Sequence, residues 1–175
     1  MTEPQRTAPQ LIEDIKALII EIQQLYCHDE IPWIIGYSGG KDSTATLQLV
    51  WQAIQQLPSD RRTKQIHVIT TDTRVENPIV AAWVKRSISN MQAASDEQGL
   101  PITANLLFPD VKDTFWVNLI GKGYPAPRNG FRWCTERLKI KPSNQFVQNV
   151  VRAKGEVIIV LGTRKAESSR RSRSM

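Results

Sequence analysis

Trp33-Ile-Ile-Gly-Tyr-Ser-Gly-Gly-Lys-Asp-Ser-Thr44 decides how this chain is read. The apolar run Trp33 to Tyr37 has the composition of a strand, and it enters Ser38-Gly39-Gly40-Lys41-Asp42-Ser43 immediately before a helical pattern begins. Strand, glycine loop and helix in that order make an anion cradle. Consecutive glycines let backbone amides approach a ligand without an intervening Cβ, and the helix start adds unpaired N–H groups and the positive end of a dipole. Ser38, Lys41 and Ser43 supply further donors for phosphate oxygens. The loop is not a Walker A motif, which needs Ser or Thr after its Lys and Gly five positions before its last Gly; those positions hold Asp42 and Ile35. A carboxylate beside bound phosphates would repel them unless a divalent cation lay between, so Asp42 implies Mg²⁺. The competing reading is an ordinary tight turn in which Asp42 or Ser43 caps the next helix.

Outward from this loop, helix and strand signals alternate. Leu11, Ile15, Leu18, Ile19, Ile22 and Leu25 recur at helical spacing over Gln10 to Tyr26. A helix is predicted from Lys41 to Leu57 with Ala45, Leu49 and Ala53 on its apolar face, then a polar turn at Ser59 to Arg62 and a strand from Gln65 to Thr71. A helix of some twenty residues follows Pro78 and stops at Gly99, before a strand from Ile102 to Leu107. Lys112 to Ile120 reads as a short helix, 121–130 as loop, Cys134 to Val151 as a helix interrupted at Pro142, and Glu156 to Leu161 as a buried strand. The fold class is therefore α/β: a parallel sheet with helices on both faces, binding its ligand at the carboxyl ends of the strands. Residues 1–30 are expected to form an N-terminal helix packed on the core, and 31–175 the catalytic domain.

Ser38 to Ser43 resembles the PP-loop of ATP pyrophosphatases, which cleave ATP between its α and β phosphates. The resemblance implies an adenine nucleotide alpha-hydrolase-like, Rossmann-like fold, with ATP and Mg²⁺ as cofactors. Asp72-Thr-Arg-Val-Glu-Asn-Pro78 resembles the acidic loop after the second strand in phosphoadenylyl-sulfate (PAPS) reductases and their relatives, which would bring Asp72 to the nucleotide ribose or a metal-bound water. Glu76 is weaker, since Asn77 and Pro78 are also a helix start.

Tyr124 to Pro142 is dense in Arg, Lys and aromatic residues around one cysteine, which suits an anion-binding loop with a reactive or ligating thiol. Arg132-Trp-Cys-Thr, Leu138-Lys and Pro142 resemble the cysteine segment of PAPS reductase-like proteins, especially the DndC group, the sulfurtransferase subunits of DNA phosphorothioation. That resemblance implies a 4Fe–4S cluster with Cys134 as one ligand. The chain holds only Cys27 and Cys134, so it cannot complete a four-cysteine cluster alone. Gly162-Thr-Arg-Lys-Ala-Glu-Ser-Ser-Arg-Arg171 resembles the segment after the fourth strand in the same family, where Arg164 and Arg171 would face anionic groups. The resemblance thus implies Lys41, Asp42, Cys134 and Arg164 as catalytic residues. The nucleotide would contact Ser38, Gly39, Gly40, Lys41, Asp42, Ser43, Asp72, Gly162 and Arg171, and the metals Asp42 and Cys134.

The 175 residues are 41% hydrophobic and 23% charged, which suits one globular domain. No apolar run approaches the roughly 20 residues that span a bilayer, so no membrane and a cytoplasmic location are expected. A net charge of +6, concentrated in Arg128 to Lys141 and in the C-terminal segment, suggests polyanionic partners. The DndC resemblance implies DNA, a cysteine desulfurase as sulfur donor and other DNA phosphorothioation proteins as partners. It also leads us to expect that the C-terminal part of the domain is missing. The alternatives are a PAPS reductase, a tRNA-thiolating enzyme, and a nucleotide-binding, DNA-tethering module without turnover.

Overall fold

Four strands, β1 (Trp33–Gly36), β2 (Ile66–Thr71), β3 (Ile102–Leu107) and β4 (Ile158–Leu161), form one parallel sheet in the order β3-β2-β1-β4. They belong to a computed structural model that describes residues 7–163. Successive side chains of a strand point to opposite faces. The register Trp33↔Ile66↔Ile102 therefore gathers Trp33, Ile35, Ile66, Val68 and Ile102 on one face, where they pack with Tyr26 of α1 (Ala8–His28) and with Leu47, Val50 and Ile54 of α2 (Lys41–Gln55). On the opposite face His67 meets the edge of Phe146, from α5 (Lys141–Lys154), with ring centroids 5.5 Å apart. Helices thus cover both faces, as the alternation of apolar runs predicts.

Between β2 and β3 runs α3 (Pro78–Glu97), started by Asn77, whose Oδ1 accepts the Ile79 N–H at 2.9 Å. The connection from β3 returns across β2 and β1 to reach β4, so the strand order reverses at β1. Ligands of open α/β sheets bind at such a reversal, and here the loops leaving β1 and β4 meet there.

Several elements depart from their predicted form. The core face of α2 is Leu47, Val50, Ala53 and Ile54; Ala45 is exposed and Leu49 half-buried, because the core lies along the other stripe of the helix. In α1 only Ile19 and Tyr26 are buried, while Leu11, Leu18 and Leu25 stay largely exposed. β4 is shorter than Glu156–Leu161 and, among the described residues, lies at the sheet edge, where Ile158, Ile159 and Leu161 are exposed rather than buried. The predicted helix Lys112–Ile120 is a 3₁₀ turn, Val111–Asp113, followed by a π turn, Val117–Gly121.

Pro142 does not interrupt its helix. The chain runs from α4 (Trp133–Thr135) through a π turn, Glu136–Ile140, directly into α5, with Pro142 buried in the first turn of α5. Proline lacks an N–H and its ring collides with the carbonyl four residues earlier; a widened turn just before it accommodates both.

Two buried charges tie these elements together. Lys64, 2% exposed, pairs with Asp29 at 2.6 Å, lies 5.3 Å from the ring centroids of Tyr26 and Trp33, and accepts the Tyr26 hydroxyl on its carbonyl at 2.7 Å. The Lys64 hydrogen bond holds the Asp29 carboxyl below its ordinary range, and burial pushes the Tyr26 phenol up to about 12. Asp113, 3% exposed, receives Lys141, Lys122 at 3.2 Å and Arg137 at 3.1 Å. Hydrogen bonding, first from Lys141 and then from Lys122, outweighs the opposing effect of burial and lowers its carboxyl to about 2. Fully buried Asn118 donates to the carbonyls of Asp113 and Thr114 at 2.8 and 2.9 Å, fixing the same loop from within.

Breaking a buried pair leaves an uncompensated charge. Asp29→Asn should lower stability by about 3 kcal/mol, and adding Lys64→Met should recover most of that, measured by urea unfolding. Asp113 contributes stability that is present above the unfolded carboxylate range and is lost as pH falls through its folded value of about 2. Asp113→Asn should therefore cost on the order of 2 kcal/mol at pH 7, a difference that shrinks between pH 4 and pH 2. A pH-independent difference would contradict the ion-pair account.

Candidate functional site

The loop after β1 is built by its glycines and serines in different ways. Gly39 has φ +72°, the left-handed region that L side chains rarely adopt, and a Cβ there would meet the Trp83 ring at 2.7 Å. Gly40 has ordinary extended φ and serves as N-cap of α2. The Ser38 and Ser43 hydroxyls lie 3.1 Å apart, and the Ser43 hydroxyl donates to the Gly40 carbonyl at 3.0 Å while accepting the Ser38 N–H at 3.2 Å. The loop is thus closed on itself, with the first turn of α2 and Lys41 at its mouth.

Gly162, just beyond β4, packs against this turn: a Cβ would come within 2.6 Å of the Asp42 carbonyl oxygen and 2.7 Å of Thr46 Oγ1. Close approach of β4 to α2 therefore requires glycine at 162. At Gly36 a Cβ would meet only the tip of the exposed Leu161 side chain, at 2.8 Å.

A cavity of about 740 Å³ opens from this junction. Ser38, Gly40, Lys41, Asp42 and Ser43 form one end, the sheet residues Ile34, Ile69 and Ile159 a wall, and Ser143, Asn144 and Val147 of α5 the opposite wall. Ligand cavities of this size with apolar walls and a few converging polar groups hold molecules as large as a nucleotide. Glu76 and Lys139 both line it and form an ion pair, 3.7 Å apart. Gly162 and Thr163 complete the lining where β4 ends.

Other sequence-predicted residues lie elsewhere. Gly39 stands behind the cavity, against Trp83. Asp72 caps its own loop, its Oδ1 accepting the Arg74 N–H at 2.8 Å, and does not line the cavity, although Thr71 does. Cys134 is half-buried in α4, outside the lining but five residues before Lys139. Arg164 and Arg171 lie outside the described residues. The basic segment is largely self-neutralised: Asp113 engages Arg137 and Lys141, and Glu76 engages Lys139. Arg128 and Arg132 are exposed and form no ion pair with another described residue.

Asp113, Ser143 and Asn144 carry no site signal of their own in the sequence, and Trp83 reads there only as one of the apolar residues of its helix. Asp113 sits in an unremarkable Pro-Asp-Val-Lys-Asp stretch, and its role depends on cations nine to twenty-eight residues away. Ser143 and Asn144 follow Pro142, and their position one helical turn beyond Lys139 was the available signal.

The donor set suits Mg²⁺ in a limited sense. This ion takes one or two carboxylates together with substrate phosphates, and Asp42 lines the end of the cavity formed by the Ser38–Ser43 loop. Among the described residues no group of three His, Cys, Asp or Glu side chains is placed to hold a metal ion. For a 4Fe–4S cluster this chain offers Cys134 as one ligand and does not complete the set by itself. Cys27 ends α1 at the amino side of the sheet, whereas Cys134 lies with the loops at the carboxyl side, so the two cysteines cannot share a cluster within one chain.

Comparison with known proteins bears on what this site belongs to. The chain is 27% identical over 151 residues to the uncharacterized protein MJ0066 of Methanocaldococcus jannaschii, matching 86% of this chain but 26% of that protein. The chain thus spans about a quarter of the length of the curated relative it matches. It is also similar to the U34-tRNA thiolase NcsA from Methanococcus maripaludis, solved with its 4Fe–4S cluster, at 18% identity and a TM-score of 0.49. That likeness covers 88% of this chain and 45% of the thiolase, and is too distant to speak to substrate or cofactor. The model of the phosphoadenosine phosphosulfate reductase domain, by contrast, matches residues 32–175, from the start of β1 through the phosphate loop and cavity, and the chain belongs to that family.

Proposed function

We propose that this chain is the nucleotide-activating domain of a sulfurtransferase that cleaves ATP to AMP and pyrophosphate and activates a DNA backbone phosphate for sulfur insertion, as in DNA phosphorothioation. The observation that carries the reading is the closed Ser38–Ser43 loop opening, with Lys41 and Asp42, into a cavity of about 740 Å³. The similarity of Arg132 to Pro142 and of 162–171 to the DndC group supports DNA as the acceptor.

In this reading the β and γ phosphates of ATP lie in the Ser38–Ser43 loop, contacted by backbone N–H groups and by Lys41. Mg²⁺ near Asp42 would neutralise charge on the leaving pyrophosphate. An oxygen of the acceptor phosphate attacks the α-phosphorus, the bond to the β-phosphate bridging oxygen breaks, and pyrophosphate leaves. The protein contributes positioning and electrostatic stabilisation, the main means of catalysing such a transfer. A persulfide on Cys134, loaded by a cysteine desulfurase, then attacks the activated phosphorus; AMP leaves, and a reducing thiol cleaves the remaining S–S bond. The other DNA phosphorothioation proteins would supply the target and any cluster that this chain cannot complete. Such a protein works in the cytoplasm, and among the described residues no helix is long and apolar enough to cross a membrane.

The family assignment favours a second reading, reduction of an adenylyl sulfate to sulfite. One assay separates the two. With Mg²⁺, DNA and α-labelled ATP the protein should give AMP and pyrophosphate, and Lys41→Ala should reduce turnover by roughly a hundredfold or more. ADP with phosphate would overturn the reading, and thiol-dependent release of sulfite from an adenylyl sulfate would replace it with the second. Gly39→Ala forces a side chain into the left-handed region and against Trp83. It should weaken ATP binding roughly tenfold, and Trp83→Ala should restore only part of the loss, because the backbone strain remains.

A further inference from the structure

Beside the cysteine lies a surface that the nucleotide site does not use. Phe115 and Trp133 stack with centroids 5.3 Å apart, Tyr124 leans on Trp133 at 5.5 Å, and the Trp133 indole N–H donates to the Pro125 carbonyl at 2.9 Å. This stack is a rigid base. Trp116 stands edge-on to Phe115 at 5.2 Å and is 58% exposed. At the neighbouring tip, Arg128 and Phe131 exchange backbone hydrogen bonds of 3.1 and 2.9 Å, which sets Phe131, 39% exposed, beside Arg132 and next in sequence to the stacked Trp133. Two exposed aromatic rings and two exposed arginines therefore lie on the two segments, 115–116 and 128–132, that meet at the Trp133 stack, and Cys134 follows directly.

A tryptophan left more than half exposed on a pre-ordered stack has its apolar area still to bury, and the two arginines decide what would cover it. The other cations of this segment are spent on Asp113 and Glu76, whereas Arg128 and Arg132 pair with no described carboxylate. Glu136, one helical turn beyond Arg132, is the acidic residue nearest in sequence. Aromatic faces alternating with unpaired cations match a strand whose bases are unstacked and whose phosphates are spaced along it. A closed duplex hides its base faces and would leave Trp116 without a partner.

We propose that Trp116 and Phe131, with Arg128 and Arg132, form a platform for single-stranded or locally opened DNA, with a base stacked on Trp116 and phosphates held by the arginines. The choice of DNA rests on the function proposed above. The platform would place an unpaired phosphodiester next to Cys134, so the substrate is read as an opened strand.

Fluorescence anisotropy with a labelled oligodeoxythymidine, in the absence of ATP, tests this directly. Trp116→Ala should weaken binding roughly tenfold, and Trp116→Phe should recover most of it. Arg128→Ala and Arg132→Ala should each flatten the dependence of log K on log salt by about 0.7. Unchanged affinity in Trp116→Ala, or a duplex bound as tightly as the single strand, would overturn the proposal. Equal or tighter binding of an oligouridine would overturn the assignment to DNA. A Trp116→Ala effect on sedimentation but not on DNA affinity would assign the face to a protein partner instead. Because the assay contains no ATP, failure of the pyrophosphate-forming reading leaves it intact, and an unchanged urea-unfolding midpoint in Trp116→Ala shows that the fold persists.

Discussion

Parallel pairing of β1 with β4, in register from Trp33↔Ile158 to Gly36↔Leu161, is the constraint on which the site depends. It brings together two loops more than a hundred residues apart in sequence and fixes how closely they approach. The approach is so tight that Gly162 admits no side chain against the backbone of the first turn of α2, whereas a Cβ at Gly36 would meet only the tip of the exposed Leu161 side chain. One position without a side chain thereby sets the distance between the end of β4 and the loop after β1. The cradle's geometry is a consequence of sheet register, and the loop chemistry of Ser38 to Ser43 acts within it.

The second organising force is electrostatic and mostly internal. A stretch as basic as Arg128 to Lys141 would repel itself, yet Asp113 gathers Lys122, Arg137 and Lys141 in a buried position while Glu76 takes Lys139. A buried carboxylate with several hydrogen-bonded cations is tolerable where an isolated one is not. The knot holds the turn before Asn118 and the π turn before Pro142 to each other, and so positions the short helix that carries Cys134. Positive charge here serves first to fold the cysteine arm, and only the remainder faces outward.

Much of the scaffold was legible because local chemistry dictates it. The strand-loop-helix at Trp33 to Thr44, the start of α3 at Asn77-Pro78 and the whole of β3 follow from apolar period, capping residues and proline. What stayed illegible depends on partners distant in sequence. An apolar run such as Glu156 to Leu161 reads the same at the centre of a sheet or at its edge, and only topology makes β4 the edge among the described residues. The burial stripe of α2 was misplaced because Ala45 and Leu49 also recur at helical spacing, and the core chose Leu47, Val50 and Ile54. In the site, the cradle residues were legible as a motif. The inward use of the cations and the support of Gly39 by Trp83 were not, since neither Asp113 nor Trp83 carries a local signature. Asp72 shows the converse: its motif was visible, but its carboxylate is engaged in its own turn.

The exposure of β4 has a physical reading of its own. Parallel strands are normally covered on both faces, yet Ile159 is 51% and Leu161 62% exposed. These residues also line the cavity, on the side where α5 covers β2 instead of β4. Apolar surface of this kind gains about 25 cal/mol for each Å² removed from water, whatever covers it. An apolar ring of a ligand entering along β4 would therefore be stabilised by the same area that the strand leaves unburied. Its phosphates, at the other end, would reach a cradle whose donors are already fixed by the Ser38–Ser43 contact and the first turn of α2. Incomplete burial of the edge strand and completeness of the loop then describe one site with two ends, the apolar end open to its ligand and the polar end organised before the ligand arrives.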